Sequence, residues 1–446
     1  MLMRVLEEAL KLVEPTKEER EKVDKIAELA FNLVKDASKE FKEIKEIVFG
    51  GSYAKDTWIS NDVDIDIFAK VDVNTNNERF EYIGRNLGLV ALKDYKPYLK
   101  YAQHPYVEAI IDGIKINVVP CYDVKQGEWK SAADRSIYHT QFINDNFDEE
   151  KRREVRLLKR FMKTINVYGA EISVNGFSGY VCEVLILKYN TFINTLNNAK
   201  DFKEKTVISI YNYDKSLLDL FDTPIIIIDP IDSKRNLGAA ISSNAIARFI
   251  LASRKFIDNP SIKFFKQLSI NPNRDLRKQV LVIKFSYRDR SDDIVWGEAK
   301  RSLRAITKQL QLHDFKIIRS YCHVDIDNTV ILFAILLEEL IISKYYIREG
   351  PKIFAKDNSN KFLASNKDAE MIWLDDDRLK ALKIREYNNA EEFLKMLLKE
   401  KLEQSGIAKG LIDDIRKGFV IYRDNFEERL INEIVDHITG TDELYL

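Results

Sequence analysis

Ile47-Val48-Phe49-Gly50-Gly51-Ser52-Tyr53-Ala54-Lys55, followed closely by Asp62-Val63-Asp64-Ile65-Asp66-Ile67-Phe68, is the stretch on which the reading turns. It reads as a strand, a tight glycine turn, the start of a short helix and a second strand. Side chains alternate across a strand, so Asp62, Asp64 and Asp66 are expected on one face and Val63, Ile65 and Ile67 on the other. The apolar face can enter a core. Carboxylates aligned on one face repel each other unless a cation sits among them, and a divalent metal is the natural one. Gly50-Gly51-Ser52 can turn backbone N–H groups toward phosphates that the same metal touches. A glycine turn alone is usually a turn, and an acidic strand is usually a solvated face. Together, in this order, they point to phosphoryl or nucleotidyl transfer, in which paired ions clamp the attacking and leaving oxygens.

The rest of the chain sets the frame. Its 446 residues predict about three domains at roughly 150 residues each. With 45% apolar and 32% charged residues it is of the globular class rather than the disordered or collagen-like ones. Its longest apolar stretch, Val330 to Ile342, is broken by Glu338 and Glu339 and falls short of the roughly 18 residues of a membrane span. The N-terminus turns acidic where a secretion signal would be apolar, so the cytosol is the expected compartment. Cys121, Cys182 and Cys322 are an odd, widely spaced set that supports neither a disulfide framework nor a zinc site. The net charge of −1 does not exclude a nucleic-acid partner, because phosphate binding depends on where cations cluster.

Residues 1 to 45 read as two helical segments with Thr16 as the cap of the second. From Ile47 to Tyr122 short Val- and Ile-rich runs take over, with Asp112-Gly113 as a hairpin turn. Residues 147 to 258 read as mainly helical, interrupted by the buried-strand pattern Ile225 to Ile228. Beyond about residue 275 the order strand, helix, strand, strand resembles a ferredoxin-like or RNA-recognition fold. The remainder alternates Lys-rich loops with amphipathic helices, without an internal repeat.

Basic residues cluster in Lys151 to Lys163, where seven cations and one anion fall in 13 residues. Val155, Leu158 and Met162 form the expected buried stripe, with Arg152, Arg156, Lys159, Arg160 and Lys163 largely off it. Such a helix suits triphosphate and RNA as well as plain solvent. Lys234-Arg235-Asn236 is expected to be exposed after the strand ends at Asp229-Pro230, and the Arg235 guanidinium could donate to a base edge. Lys300, Arg301, Arg304 and Lys308 could track an RNA backbone or only keep the surface soluble.

The Gly-Ser…Asp-x-Asp pairing resembles the DNA polymerase beta nucleotidyltransferase superfamily, whose three carboxylates hold two Mg²⁺ ions. More narrowly, Gly51 to Trp58 with Asp64-Ile65-Asp66 resembles the archaeal, class I CCA-adding enzymes. So do His104 to Glu108, Val118 to Tyr122, Ser131 to Arg135, Tyr168 to Glu171, Gly176 to Tyr180 and Asp229 to Asn236. These blocks run through residues 47 to 240, with weaker likeness to the C-terminus. The resemblance implies an α+β multidomain chain with a polymerase-beta-like nucleotidyltransferase head over 1–146 and a helical neck over 147–258. A ferredoxin/RRM-like body over 259–342 and an α/β tail over 343–446 would follow. It implies template-independent addition of C, C and A to the tRNA 3′ end from CTP and ATP, by a cytoplasmic homodimer gripping the acceptor and TΨC arms.

By the same resemblance Asp64 and Asp66 hold the metals, and Gly51, Ser52, Lys55, Ser136, His139 and Lys163 meet the nucleotide. Arg235 reads the incoming base, while Arg152, Arg156, Arg160, Lys300, Arg301 and Arg304 are the candidate RNA contacts. One position departs from the family: its third metal-binding carboxylate falls at Asn117. The Asn117 carbonyl can ligate an ion but brings no charge and cannot accept a proton. Three readings stay open: a weakened catalytic site, compensation by a carboxylate such as Asp62 or Asp112, and an inactive tRNA-binding chain. A poly(A) polymerase-like enzyme would share the same motif.

Overall fold

Thr16 sets the first boundary. In the computed structural model, which describes residues 1–101 and 104–445, its hydroxyl accepts from the Glu19 N–H at 3.1 Å. That cap separates α1 (Leu2–Val13) from α2 (Lys17–Ser38). Next come β1 (Ile44–Gly50), a one-turn α3 (Gly51–Ala54), β2 (Asp64–Val71), α4 (Asn77–Ala91), β3 (Tyr98–Tyr101), β4 (Pro105–Ile111) and β5 (Ile114–Tyr122). The strands form one sheet in the order β1-β2-β5-β4-β3, with β2 and β5 parallel and the other neighbours antiparallel. The β4–β5 turn is made by Asp112 and Gly113, both at positive φ (48° and 84°), as the expected hairpin requires. Ile65, Ile67, Ile116 and Val118 alternate inward and pack with Val23, Ile26, Phe80 and Ile83 of α2 and α4. One sheet face is thereby sealed by helices, which leaves the other for chemistry.

Helices α5 (Asp134–Asn146), α6 (Glu149–Thr164), α7 (Gly179–Tyr189) and α8 (Phe192–Ala199) follow. A small sheet, β6 (Thr206–Ile208), β7 (Ile225–Asp229) and β8 (Asp232–Asn236), precedes α9 (Ser243–Asp258). Lys234-Arg235-Asn236, expected to be exposed, lies in β8, where Lys234 is exposed and Arg235 half-buried. Asn236 is buried and accepts from the N–H groups of Ile227 and Gly238, both at 2.8 Å.

The chain divides into two compact units, Met1–Ser269 and Ile270–Leu446. The second begins with β9 (Ile270–Pro272), β10 (Val280–Ser286), α10 (Asp292–Leu312), β11 (Ile317–Asp325) and β12 (Val330–Leu337). After β13 (Tyr345–Lys352), α11 (Lys356–Ser365), β14 (Met371–Asp375) and β15 (Arg378–Ile384) it returns through α12 (Ala390–Lys399) and α13 (Lys409–Lys417) to β16 (Val420–Tyr422). Helix α14 (Arg429–Thr439) and β17 (Gly440–Asp442) close it. The main sheet, β11-β12-β10-β16, is antiparallel throughout and has the ferredoxin-like strand order. The three-stranded sheet β13-β15-β14 is an insertion in that fold, between its third strand and the helices leading to its fourth. Among the described residues no helix is long and apolar enough to cross a membrane.

Candidate active site

Register builds the site. Gly50 pairs with Asp66, Asp66 with Asn117, Asn117 with Glu108 and Glu108 with Tyr98, so these residues form one row across all five strands. Residues paired across neighbouring strands share a face, here the one turned away from α2 and α4. Gly51, at φ +67°, bends the chain directly over this row. A Cβ there would fall on the Asp66 carboxylate, so glycine is required both by the backbone conformation and by the close approach. Gly51→Ala is therefore expected to displace Asp66. Binding of a divalent ion there, read by Mn²⁺ titration beside a thermal melt, should weaken by more than the roughly 1–2 kcal/mol of left-handed strain would predict.

Asp66 sits half-buried, and its Oδ1 accepts from Asn117 Nδ2 at 2.9 Å. Burial pushes its pKa up to about 6, with the Asn117 hydrogen bond opposing and the neighbouring Asp64 carboxylate adding to the rise. The surrounding protein also raises Asp64, against the pull of the Lys115 ammonium 3.8 Å away. Asn117 Oδ1 is buried without a hydrogen-bond partner. Two carboxylates and an orphaned carbonyl oxygen are hard donors that suit a divalent cation, one negative charge short of a full triad. Among the described residues no three His, Cys, Asp or Glu side chains already converge as a metal cluster.

Asp62 is not on this face. Strand β2 begins at Asp64, and Asp62 lies in the preceding turn, paired with Lys163. Asp112 lies in the β4–β5 turn, whereas the Asp62 charge is near enough to help raise the Asp64 carboxyl. Neither stands in the row with Asp66 and Asn117. Lys163 also lies over the Tyr168 ring, 5.0 Å from its centroid.

Ser52 follows Gly51 on the one-turn α3, and Ser136 lines a cavity of about 350 Å³ with Asp66, Phe68, Tyr106 and Asn117. Helix α5 is anchored by Asp134, whose carboxylate accepts from the N–H groups of Tyr122 (2.8 Å), Lys130 (2.8 Å) and Ser131 (2.7 Å). One turn beyond Ser136, His139 stacks on Tyr180 at 3.7 Å and meets Asp229 at 3.0 Å. Asp229 also holds Arg235 at 3.3 Å and so joins two sequence-predicted residues, His139 and Arg235, through a carboxylate with no role assigned from sequence. Although burial opposes it, His139 and Arg235 keep the Asp229 carboxyl below its ordinary range, and burial pulls His139 down.

Lys55 is not a free surface cation. It is buried and donates to Glu183 at 2.6 Å, while Glu183 also accepts from the Thr57 hydroxyl (2.6 Å) and from Lys159 (3.1 Å). One carboxylate thus faces two ammoniums. Despite its burial, Glu183 is held at about 2 by the pair, whereas burial, reinforced by Lys55, pulls Lys159 down against Glu183. The neighbouring Tyr180 ring lies 5.6 Å from Lys55 Nζ. Glu183 went unnoticed in the sequence, although a lone acid in the apolar run Val181 to Leu187 was its signal.

The basic helix α6 also departs from expectation. Arg156 is fully buried, donating to the Trp58 carbonyl (3.1 Å) and to the Asp56 carboxylate (2.7 Å), so it cannot present itself to RNA. Arg160 donates to the Phe265 carbonyl at 2.6 Å, and Arg152 to the Lys55 carbonyl at 3.1 Å. Helix α6 packs against α1, α7 and α8, so Arg152, Arg156 and Arg160 bind neighbouring backbone, while Lys159 and Lys163 pair with carboxylates. On α10, Arg301 and Arg304 are exposed, and Lys300 lies over Trp296 at 5.8 Å.

A mixed five-stranded sheet with a glycine turn held against paired carboxylates defines a nucleotidyltransferase, and residues 32–142 match the model of the nucleotidyltransferase domain. Residues 153–266 match the second domain of tRNA nucleotidyltransferase, and residues 277–424 the C-terminal domain of the CCA-adding enzyme. The CCA-adding enzyme of Methanocaldococcus jannaschii is 34% identical over 424 residues, covering 91% of this chain and 92% of that one. That of Pyrobaculum islandicum is 35% identical over 401 residues, covering 89% and 94%. The chain belongs to the CCA-adding enzyme family. It is a tRNA nucleotidyltransferase, and completion of the tRNA 3′ end with CCA is the activity that membership carries, with divalent metal ions as the general requirement of nucleotidyltransferases.

Proposed function

We propose that this chain adds C, C and A to tRNA from CTP and ATP at the row formed by Gly50, Asp66 and Asn117, with Asp64 and Asp66 holding two Mg²⁺ ions. The observation that carries this assignment is the register that aligns Asp66, Asn117 and Gly50 on the sheet face left free by the helices. Ions bound there supply the positive charge that stabilises the developing charge on the α-phosphate and the leaving pyrophosphate. Asn117 contributes its carbonyl oxygen as the third ligand. Ser52, Ser136, His139 and Lys163 are assigned to the triphosphate, with Lys55 acting from its seat on Glu183. Arg235, steered by Asp229, is assigned to the base edge of the incoming nucleotide.

For the RNA, the exposed Arg301 and Arg304 with Lys300 are the stronger candidates, since Arg156 and Arg160 already serve carbonyls and carboxylates inside the protein. The working assembly is proposed to be a homodimer. The test is incubation of the chain with CTP, ATP, Mg²⁺ and tRNA lacking its 3′ terminus, with products sized on a denaturing gel. A stop after three nucleotides supports CCA addition, and an open-ended adenosine tail means a poly(A) polymerase. Because Asn117 lacks the family's charge, a second reading is a chain that binds tRNA without extending it. Asn117→Asp is expected to raise the rate of addition by about tenfold or more, since ligand charge count sets ion affinity. An unchanged rate would mean that the charge missing at position 117 does not limit addition.

A further inference from the structure

Resting on the reading that Asp64 and Asp66 hold divalent ions, we propose that Glu108 supplies the third carboxylate that position 117 lacks. Glu108 lies directly opposite Asn117 on β4, in the same row and on the same face as Asp66. Its neighbours Val107 and Ala109 are fully buried in the helix-covered core, so alternation turns Glu108 toward the active face. It is 7% exposed, and among the described residues its carboxylate meets one hydrogen-bond donor, the Tyr98 hydroxyl, and no cation. A buried carboxylate without a counter-charge is costly, and a metal ion relieves that cost. Asn117 Oδ1, buried and unpartnered, lies between this charge and Asp66.

Reach is sufficient. With strands about 5 Å apart, the Glu108 and Asp66 backbones are separated by about 10 Å, and an ion over Asn117 sits midway. Glutamate carries one methylene more than the aspartate it replaces, which lets it lean across Asn117 from the adjoining strand. Tyr98 holds the carboxylate on the far side until it turns. The ion then gains the charge that Asn117 withholds, with Asn117 as its neutral ligand.

The experiment titrates Mn²⁺ into the full chain without nucleotide and counts free ion by electron paramagnetic resonance, for wild type, Glu108→Gln, Asn117→Asp and the double variant. Glu108→Gln is expected to weaken the weaker class of site about tenfold, whereas in the Asn117→Asp background the same change should cost at most about twofold. Loss of the same size in both backgrounds would assign Glu108 a structural role only, and unchanged affinity in Glu108→Gln would overturn the proposal. If Glu108→Gln does not fold, Glu108→Asp keeps the charge but shortens the reach: weakened Mn²⁺ binding supports the proposal and wild-type binding overturns it. Asp64→Ala separates the two levels. If it leaves Mn²⁺ binding intact, the underlying metal site is wrong. If it abolishes binding while the Glu108 variants do not, only the present inference fails.

Discussion

Asp66→Ala removes nucleotide addition by roughly a thousandfold or more, an effect of several kcal/mol on the barrier, while tRNA affinity stays within about twofold. The asymmetry follows from position. Asp66 lies half-buried under the Gly51 turn, so the substitution deletes a donor for the ions without touching the exposed cations on α10. It also makes an unusual stability forecast. Burial raises the Asp66 pKa to about 6 in the ion-free protein. A group with a raised folded pKa contributes stability below its unfolded pKa and loses it as pH rises through the folded one. At pH 7.5 the ionised Asp66 is therefore a liability, and its removal relieves repulsion with Asp64. Against this stands one lost acceptor for Asn117 Nδ2. Without metal at pH 7.5 the variant should melt within a few degrees of wild type, or slightly above it, although it is inactive. A variant that keeps a tenth of the addition rate would refute the metal assignment, and one that fails to fold would refute the electrostatic account.

How far the sequence reached can be traced residue by residue. Alternation was enough for the Asp64–Asp66 strand, because Ile65 and Ile67 are fully buried against α2, which helical spacing located, and against α4, which it did not, since residues 77–91 lie in the span read as strand-rich. The Asp112-Gly113 turn was legible from dihedral preference alone. The same alternation over-reached at Asp62, because a strand pattern does not mark where pairing begins, and Ile59 and Asp62 close a turn before it does. On α6 the helical period placed Arg156 and Lys159 off the apolar stripe, yet both are buried. Their partners are the Trp58 carbonyl and the Glu183 carboxylate, remote in sequence or on another helix, and no local window contains them. The row Asp66–Asn117–Glu108 is also non-local: Asp66 and Glu108 lay in separate motifs and Asn117 was singled out beside a third, but only strand pairing sets the three side by side. The insertion β13-β15-β14 escaped because its exposed positions carry apolar residues such as Ile347 and Met371, which blur the alternation.

Glu183→Gln should destabilise the fold by roughly 3–5 kcal/mol, the range for removing one member of a buried ion pair and stranding the other. Here two ammoniums would be stranded. Lys55 and Lys159 meet at Glu183 inside the protein, and the neutral amide can satisfy one donor with its oxygen but neutralises neither charge. Protonation of the wild type makes the same change reversibly. Glu183 has its pKa lowered to about 2, so the stability it confers is present above the unfolded value near 4.5 and is lost as pH falls through about 2. Wild type should therefore lose stability across that window, while the variant loses less there because its buried charges are already uncovered. Denaturant titrations at pH 7, 4.5 and 2.5 compare the two slopes. The same substitution reaches the chemistry through Lys55. With its carboxylate anchor gone, the Lys55 ammonium loses the partner that fixes it beside Tyr180. KM for CTP and ATP should then rise more than kcat falls, provided the assay is run well below the variant's melting temperature. Equal stability of the two proteins at pH 7 would overturn this account, because even a single buried ion pair, Lys55 with Glu183, loses stability when its carboxylate is removed.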